Sequence, residues 1–152
     1  MARINVGISP TNLTDQHLIA ESVEITMITG ALRKDGYKIK GEVPKTFCLG
    51  TGHINFFKNK LLYLKKRLDL VNEEIANRGM KSGTHINLDE FPAQLRNDWK
   101  PAFKDSIIVR LRIQERINQP LKAKEGFHKY NRVSINKNEY LSNLLHSKVN
   151  EI

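Results

Sequence analysis

The chain has 152 residues, 39% of them hydrophobic, enough for one globular domain with a real core and too many for wholesale disorder. Its 25 Lys and Arg against 16 Asp and Glu leave a net charge of +9, an excess that favours a polyanionic partner, nucleic acid first among them. The single cysteine, Cys48, excludes an internal disulfide, no apolar run has membrane-spanning length, and the first residues lack a signal-peptide core, so a soluble cytoplasmic protein is expected.

The chain opens Met1-Ala2-Arg3-Ile4-Asn5. If Met1 is removed, small Ala2 exposes an α-amine whose reference pKa of about 7.7–8.0 leaves it partly neutral near physiological pH. Such an amine is a usable nucleophile toward carbonyl-like or acetal carbons. Turn chemistry at Pro10 and Asn12 then leads into a helix capped by Thr14 or Asn12, running to Lys34 and stopped by Asp35-Gly36. Leu18, Ile25, Ile28 and Leu32 form its apolar stripe. His17, Glu21 and Glu24 follow at i, i+4, i+7 on another face, and taken alone they read as a solvated face with acids near the helix N-terminus. A zinc reading of these three fails because catalytic zinc needs three ligands of defined geometry, and only the distant His53 or His85 could be added.

A lysine-rich connection over 35–46 leads to Phe47-Cys48-Leu49 and the two-glycine turn Gly50-Thr51-Gly52 before His53. The glycines permit positive φ or close backbone approach, but there is no third glycine for a phosphate-binding loop. The strongest helix spans about Ile54 to Arg78, with Leu61, Leu64, Leu68, Val71 and Ile75 inward, Gly79 as terminator, and Lys58, Lys65 and Lys66 outward. Residues 80–104 read as loop with a short helix interrupted at Pro92. A third principal helix runs from Asp105 to Asn118, capped by Asp105 or Ser106, with Ile107, Ile108, Leu111 and Ile117 inward. Arg112 and Arg116 stand one turn apart on it, spaced to grip successive phosphates. From Leu121 to Arg132, basic residues such as Lys129 alternate with Phe127, His128 and Tyr130, a mixture suited to stacking on bases beside phosphates; the alternative is a charged tail anchored by its aromatics. Asn136 caps a last helix through about Ser147, with Leu141, Leu144 and Leu145 inward.

Several blocks together resemble one family. They are Arg3-Ile4-Asn5, Asp15-Gln16-His17-Leu18 with Ala20-Glu21 and Glu24, Gly30 to Lys34, Pro44-Lys45-Thr46-Phe47, Leu49 to His53, Phe56-Phe57, and Lys60-Leu61 with Lys65-Lys66-Arg67. Weaker matches in register continue at Arg78-Gly79, Pro92 to Arg96, Arg112 and Glu115-Arg116-Ile117. Over roughly residues 2–130 the chain resembles the phage pyrimidine-dimer DNA glycosylase/AP lyase family, UV-repair enzymes of the endonuclease V type. The resemblance implies an all-α single domain of three principal helices, glycosylase-like over 1–130, with residues 131–152 a C-terminal helical extension. It also implies double-stranded DNA as partner, no cofactor or metal, and attack on the sugar C1′ by the Ala2 amine to form an imine, with β-elimination following. Glu24 matches the family's essential carboxylate. Arg3 matches a phosphate contact, and His17, Arg112 and Arg116 fall at DNA-facing positions; Lys65, Phe127, Lys129 and Tyr130 complete the expected DNA surface, and a monomer is expected.

Three positions depart from the family pattern. Val23 and Met27 stand where the family carries arginines on its first helix, and Ser22 stands where it has an aromatic. Two charge-assisted phosphate contacts are thereby absent, so the resemblance reaches further for the chemistry than for the lesion. The competing expectation is a non-catalytic DNA-binding or inhibitory protein that keeps the fold.

Overall fold

The computed structural model describes residues 3–81, 83–119 and 128–147; Ala2 and Phe127, both expected at the site, lie outside them. The architecture is all-α: helices α1 (Asp15–Lys34), α2 (His53–Phe57), α3 (Leu61–Asn77), α4 (Phe103–Asn118) and α5 (Lys137–His146), with a small hairpin of β1 (Lys129–Tyr130) and β2 (Val133–Ser134). Among the described residues, no helix is long and apolar enough to cross a membrane.

Helix α1 starts where Thr14 accepts the His17 N–H and ends where Asp35 and Gly36 turn the chain back onto its last carbonyls. Its expected stripe, Leu18, Ile25, Ile28 and Leu32, is buried against α3, whose Leu61, Leu64, Leu68, Val71 and Ile75 are buried in turn. The N-terminal segment fills the same core, with Ile4, Val6 and Ile8 at zero exposure.

The single helix expected over 54–78 is instead two, α2 and α3, broken at residues 58–60. Lys60 leaves helical geometry to pair with Arg96 in an antiparallel bridge, and Asn97 donates both its backbone and side-chain N–H to Asn59 O. The tertiary partner offers these backbone groups what a helical turn would have offered. Two 3₁₀ turns, Leu88–Glu90 and Ala93–Leu95, flank Pro92.

Helix α4 begins two residues early, with Asp105 as its third residue accepting the Ala102 N–H from inside the first turn. Its buried face is Val109, Ile113 and Ile117 together with Arg110; Ile108 and Leu111, expected inward, are exposed, and Ile107 is half-buried. A buried arginine donating to Ser147 O occupies the face that hydrophobicity alone assigns to isoleucine and leucine. On α5, Asn136 caps as expected by accepting the Glu139 N–H, and Leu141 and Leu144 are buried, but Leu145 is exposed.

The hairpin packs on the start of α1. Its turn residues Asn131 and Arg132 both have positive φ (50° and 69°), and their N–H groups both donate to the Asp15 carboxylate. Arg78 adds to the same anchor, bonding Asp15 and lying over the Tyr130 ring at 4.1 Å.

Candidate active site and DNA-facing cleft

The face of α1 that carries His17, Glu21 and Glu24 is not a solvated one. Glu21 has zero exposure and Glu24 only 3%, because the N-terminal segment, α3 and α4 close over them. The two carboxylates meet different surroundings. Glu21 receives two donors from the fully buried Arg67, through Nε and Nη2, and a third from Asn5 Nδ2 at 2.8 Å. Arg67 also donates Nη1 to Ile8 O at 2.6 Å, so this cluster ties the N-terminal segment to α1 and α3 at once. A buried ion pair with that many hydrogen bonds is a structural unit.

Glu24 has no ion-pair counterpart of that kind among the described residues. Burial raises its carboxyl above the ordinary range, and the charge of Arg3 pulls the other way. Arg3 in turn is lowered by burial, supported by Glu24, and pressed by Arg112 and Arg116. Arg3, His17, Ala20, Arg112 and Arg116 line one small cleft between the N-terminal segment, α1 and α4. Three guanidinium groups around one cleft concentrate positive charge there. Its neighbour Glu24 is a carboxyl able to hold a proton nearer neutrality than a free glutamate can.

His17 sits at the rim, its Nδ1 2.8 Å from the Thr14 hydroxyl and its ring stacked on His128 at 6.0 Å. Burial, then His128, Arg116 and Arg112, push it down to about 4, so it is neutral at physiological pH. The hairpin brings Lys129 and Tyr130 to the same end of α1. The Lys129 N–H donates to Gln16 Oε1, and the Tyr130 hydroxyl donates to Thr11 O. Lys65 is not part of this cleft; it lies on the outer side of α3 in an ion pair with Asp69 at 2.8 Å. Thus Arg3, His17, Glu24, Arg112 and Arg116 come together from three sequence regions, Lys129 and Tyr130 dock beside them, and Lys65 stands apart. Val23 and Met27 are 50% and 59% exposed. At about 100° per residue they lie on the solvent flank of α1 next to Glu24.

His53 enters the sequence reading only as a rejected zinc ligand and as the end of the Leu49 to His53 block. Its imidazole is buried, pushed down to about 4 by that burial, and bonded at both nitrogens. Its sequence signals are the two-glycine turn immediately before it and its place at the end of the Leu49 to His53 block. Among the described residues, no group of three or more His, Cys, Asp and Glu side chains is placed to hold a metal ion.

A buried carboxylate beside an arginine-lined cleft, built at the N-terminal end of a basic all-α chain, is an arrangement suited to nucleic-acid chemistry. The family model described as pyrimidine dimer DNA glycosylase matches residues 1–88, which contain the N-terminal segment, Glu24, His53 and Arg67. Arg112 and Arg116 lie beyond the matched residues, yet the fold returns them to the same cleft. With more than half its length matched, the chain belongs to the pyrimidine dimer DNA glycosylase family.

Proposed function

We propose that the protein is a DNA N-glycosylase and AP lyase that uses the α-amine of Ala2 as nucleophile and Glu24 as its acid–base partner. In this reading the neutral amine bonds to C1′ of the target nucleotide while the glycosidic C1′–N bond breaks, and the base departs with the electron pair and takes up a proton. Sugar-ring opening places a proton on O4′ and leaves a protonated imine between C1′ and the amine. Loss of a C2′ proton then expels the 3′ phosphate, breaking the C3′–O bond and cutting the strand.

The observation that carries the proposal is Glu24, buried, raised by its burial and coupled to Arg3, which lines an arginine-rich cleft. A carboxyl in this state can take a proton in one step and return it in another, and its anion can face the cationic imine. Arg3, Arg112 and Arg116 supply charge for the phosphates flanking the lesion. Extruding a base costs roughly a few kcal/mol and least at damaged pairs, so a pyrimidine dimer or another destabilised base is a fitting substrate.

Borohydride trapping tests the proposal. Protein lacking Met1 is expected to form a covalent adduct with a duplex carrying an abasic site, and protein retaining Met1 is expected to form none. No adduct on abasic or UV-irradiated duplex sinks the reading. The exposed Val23 and Met27 beside Glu24 favour one second reading, a non-catalytic DNA-binding protein. It predicts salt-dependent DNA affinity with no adduct at all.

A further inference from the structure

The segment that leads to the proposed nucleophile runs through the core without a β partner. Ile4, Val6 and Ile8 have zero exposure, so their backbone groups need internal acceptors and donors. The Ile4 N–H finds its acceptor in a side chain, donating to His53 Nε2 at 3.1 Å across 49 residues of sequence. The other ring nitrogen, Nδ1, donates to Cys48 O at 2.8 Å, which places the proton on Nδ1 and leaves the lone pair on Nε2. Edges of Phe47 and Phe57 confine the ring, with centroids at 5.6 and 5.2 Å.

The turn that delivers this ring uses both its glycines. Gly50 and Gly52 have φ of +72° and +94°, and a Cβ on Gly52 would lie 3.0 Å from Pro44 Cγ and 3.4 Å from Cys48 Sγ. A backbone this constrained, opening a helix of only five residues, serves to aim His53 at the N-terminal segment.

We propose that His53 is a positioning residue for the N-terminal nucleophile: by accepting the Ile4 N–H it fixes the chain two residues from the Ala2 amine. The inference rests on the Ala2 amine reading above. Two residues span at most about 7 Å, so an anchor at Ile4 confines the amine to a short radius around a fixed origin. Without it, Ile4 O still accepts the Val6 N–H and the Asn5 side chain still holds Glu21, but neither restrains the peptide that carries the Ile4 N–H and leads to residues 2 and 3. A displacement of about 1 Å at a reacting atom can cost on the order of 100-fold in rate.

The experiment pairs single-turnover trapping on an abasic duplex with hydrogen exchange at the Ile4 amide, in wild type, His53→Ala and His53→Gln. His53→Ala is expected to slow trapping by about 10- to 100-fold, leave the dissociation constant for the same duplex within about twofold, and deprotect the Ile4 amide. His53→Gln keeps an oxygen acceptor near the Nε2 position and is expected to restore most of the trapping rate and the protection. Trapping by His53→Ala at the wild-type rate, or an unprotected Ile4 amide in wild type, overturns the positioning role alone. Absence of any wild-type adduct alongside a protected Ile4 amide overturns the lyase reading, and the role proposed with it. If His53→Ala does not fold, imidazole nitrogen shifts of wild type decide: an Nδ1–H tautomer with Nε2 bonded to Ile4 is expected, and an Nε2–H tautomer overturns the proposal.

Discussion

Glu21 and Glu24 are the same residue type, less than one helical turn apart, both almost wholly buried, and the fold gives them opposite work. Around Glu21 every acceptor is matched: Arg67 donates twice, Asn5 once, and the guanidinium goes on to hold Ile8 O. Around Glu24 burial dominates, opposed among the described residues by the charge of Arg3. The first arrangement spends its electrostatics on holding three chain segments together. The second leaves a carboxyl whose protonation can change during a reaction. Burial alone therefore does not mark a candidate acid; burial without a saturating partner among the described residues does.

Breaking the pair one member at a time should separate stability from activity. Glu24→Gln is expected to lower single-turnover trapping by roughly 100- to 10,000-fold, the range for losing a general acid–base group. Because the Glu24 carboxyl is raised by burial, its ionised form opposes folding, so the same variant should melt no lower than wild type. Residual trapping within about tenfold of wild type would remove Glu24 from the chemistry. Glu21→Gln should do the reverse, leaving Arg67 charged and buried without its carboxylate at a cost of about 3–5 kcal/mol in urea denaturation. Equal stability of Glu21→Gln and wild type would show that the Arg67 cluster contributes nothing net.

The histidines sharpen the contrast through pH. His17 and His53 are both lowered to about 4 in the folded protein, while an unfolded histidine titrates near 6.5. A lowered folded value means that the unfolded state binds the proton first. The stability each one confers is present above pH 6.5 and is lost as pH falls from 6.5 toward 4. The loss is about 1.4 kcal/mol per pH unit for each histidine, or about 3 kcal/mol across the window. Urea midpoints between pH 7 and 4.5 should fall less steeply in His53→Gln than in wild type, and parallel curves would refute a buried neutral His53.

The fold was legible in the sequence where one physical signal dominated. The apolar stripes of α1 and α3, the Thr14 and Asn136 caps and the Asp35-Gly36 stop all rest on local spacing and chemistry, and the structure keeps them. Pattern reading failed where a tertiary partner outbid the local preference. Lys60 left its helix for Arg96, and Arg110 took the inward face of α4 ahead of Ile108 and Leu111. The cleft was half legible. Arg112 and Arg116 were marked by their helical spacing, whereas Arg3 and Glu24 came from a family pattern, because periodicity alone makes Glu21 and Glu24 indistinguishable surface acids. The hydrogen bond of His53 was illegible because its partner is a backbone N–H 49 residues away, and a backbone donor leaves no trace in residue identity.

The smallest expected effect tests which side of α1 the DNA occupies. Val23 and Met27 are exposed on the flank next to Glu24, where they add apolar surface and no charge. If the cleft faces DNA, arginines at these two positions come within reach of phosphates. Each phosphate neutralised steepens the dependence of log affinity on log salt by about 0.9. Val23→Arg and Met27→Arg should therefore each steepen the slope by about that amount and together by about twice it, with tighter binding at low salt. Val23→Ser and Met27→Ser, which change polarity without charge, should leave the slope where it is. Both positions are solvent-facing, so the folded state should tolerate all four changes with stability shifts of about 0.5 kcal/mol or less. An unchanged slope in the double arginine variant would place this flank away from the duplex. Glu24, on the same helix about 60° from Met27, would then have to meet DNA through the N-terminal side of the cleft alone.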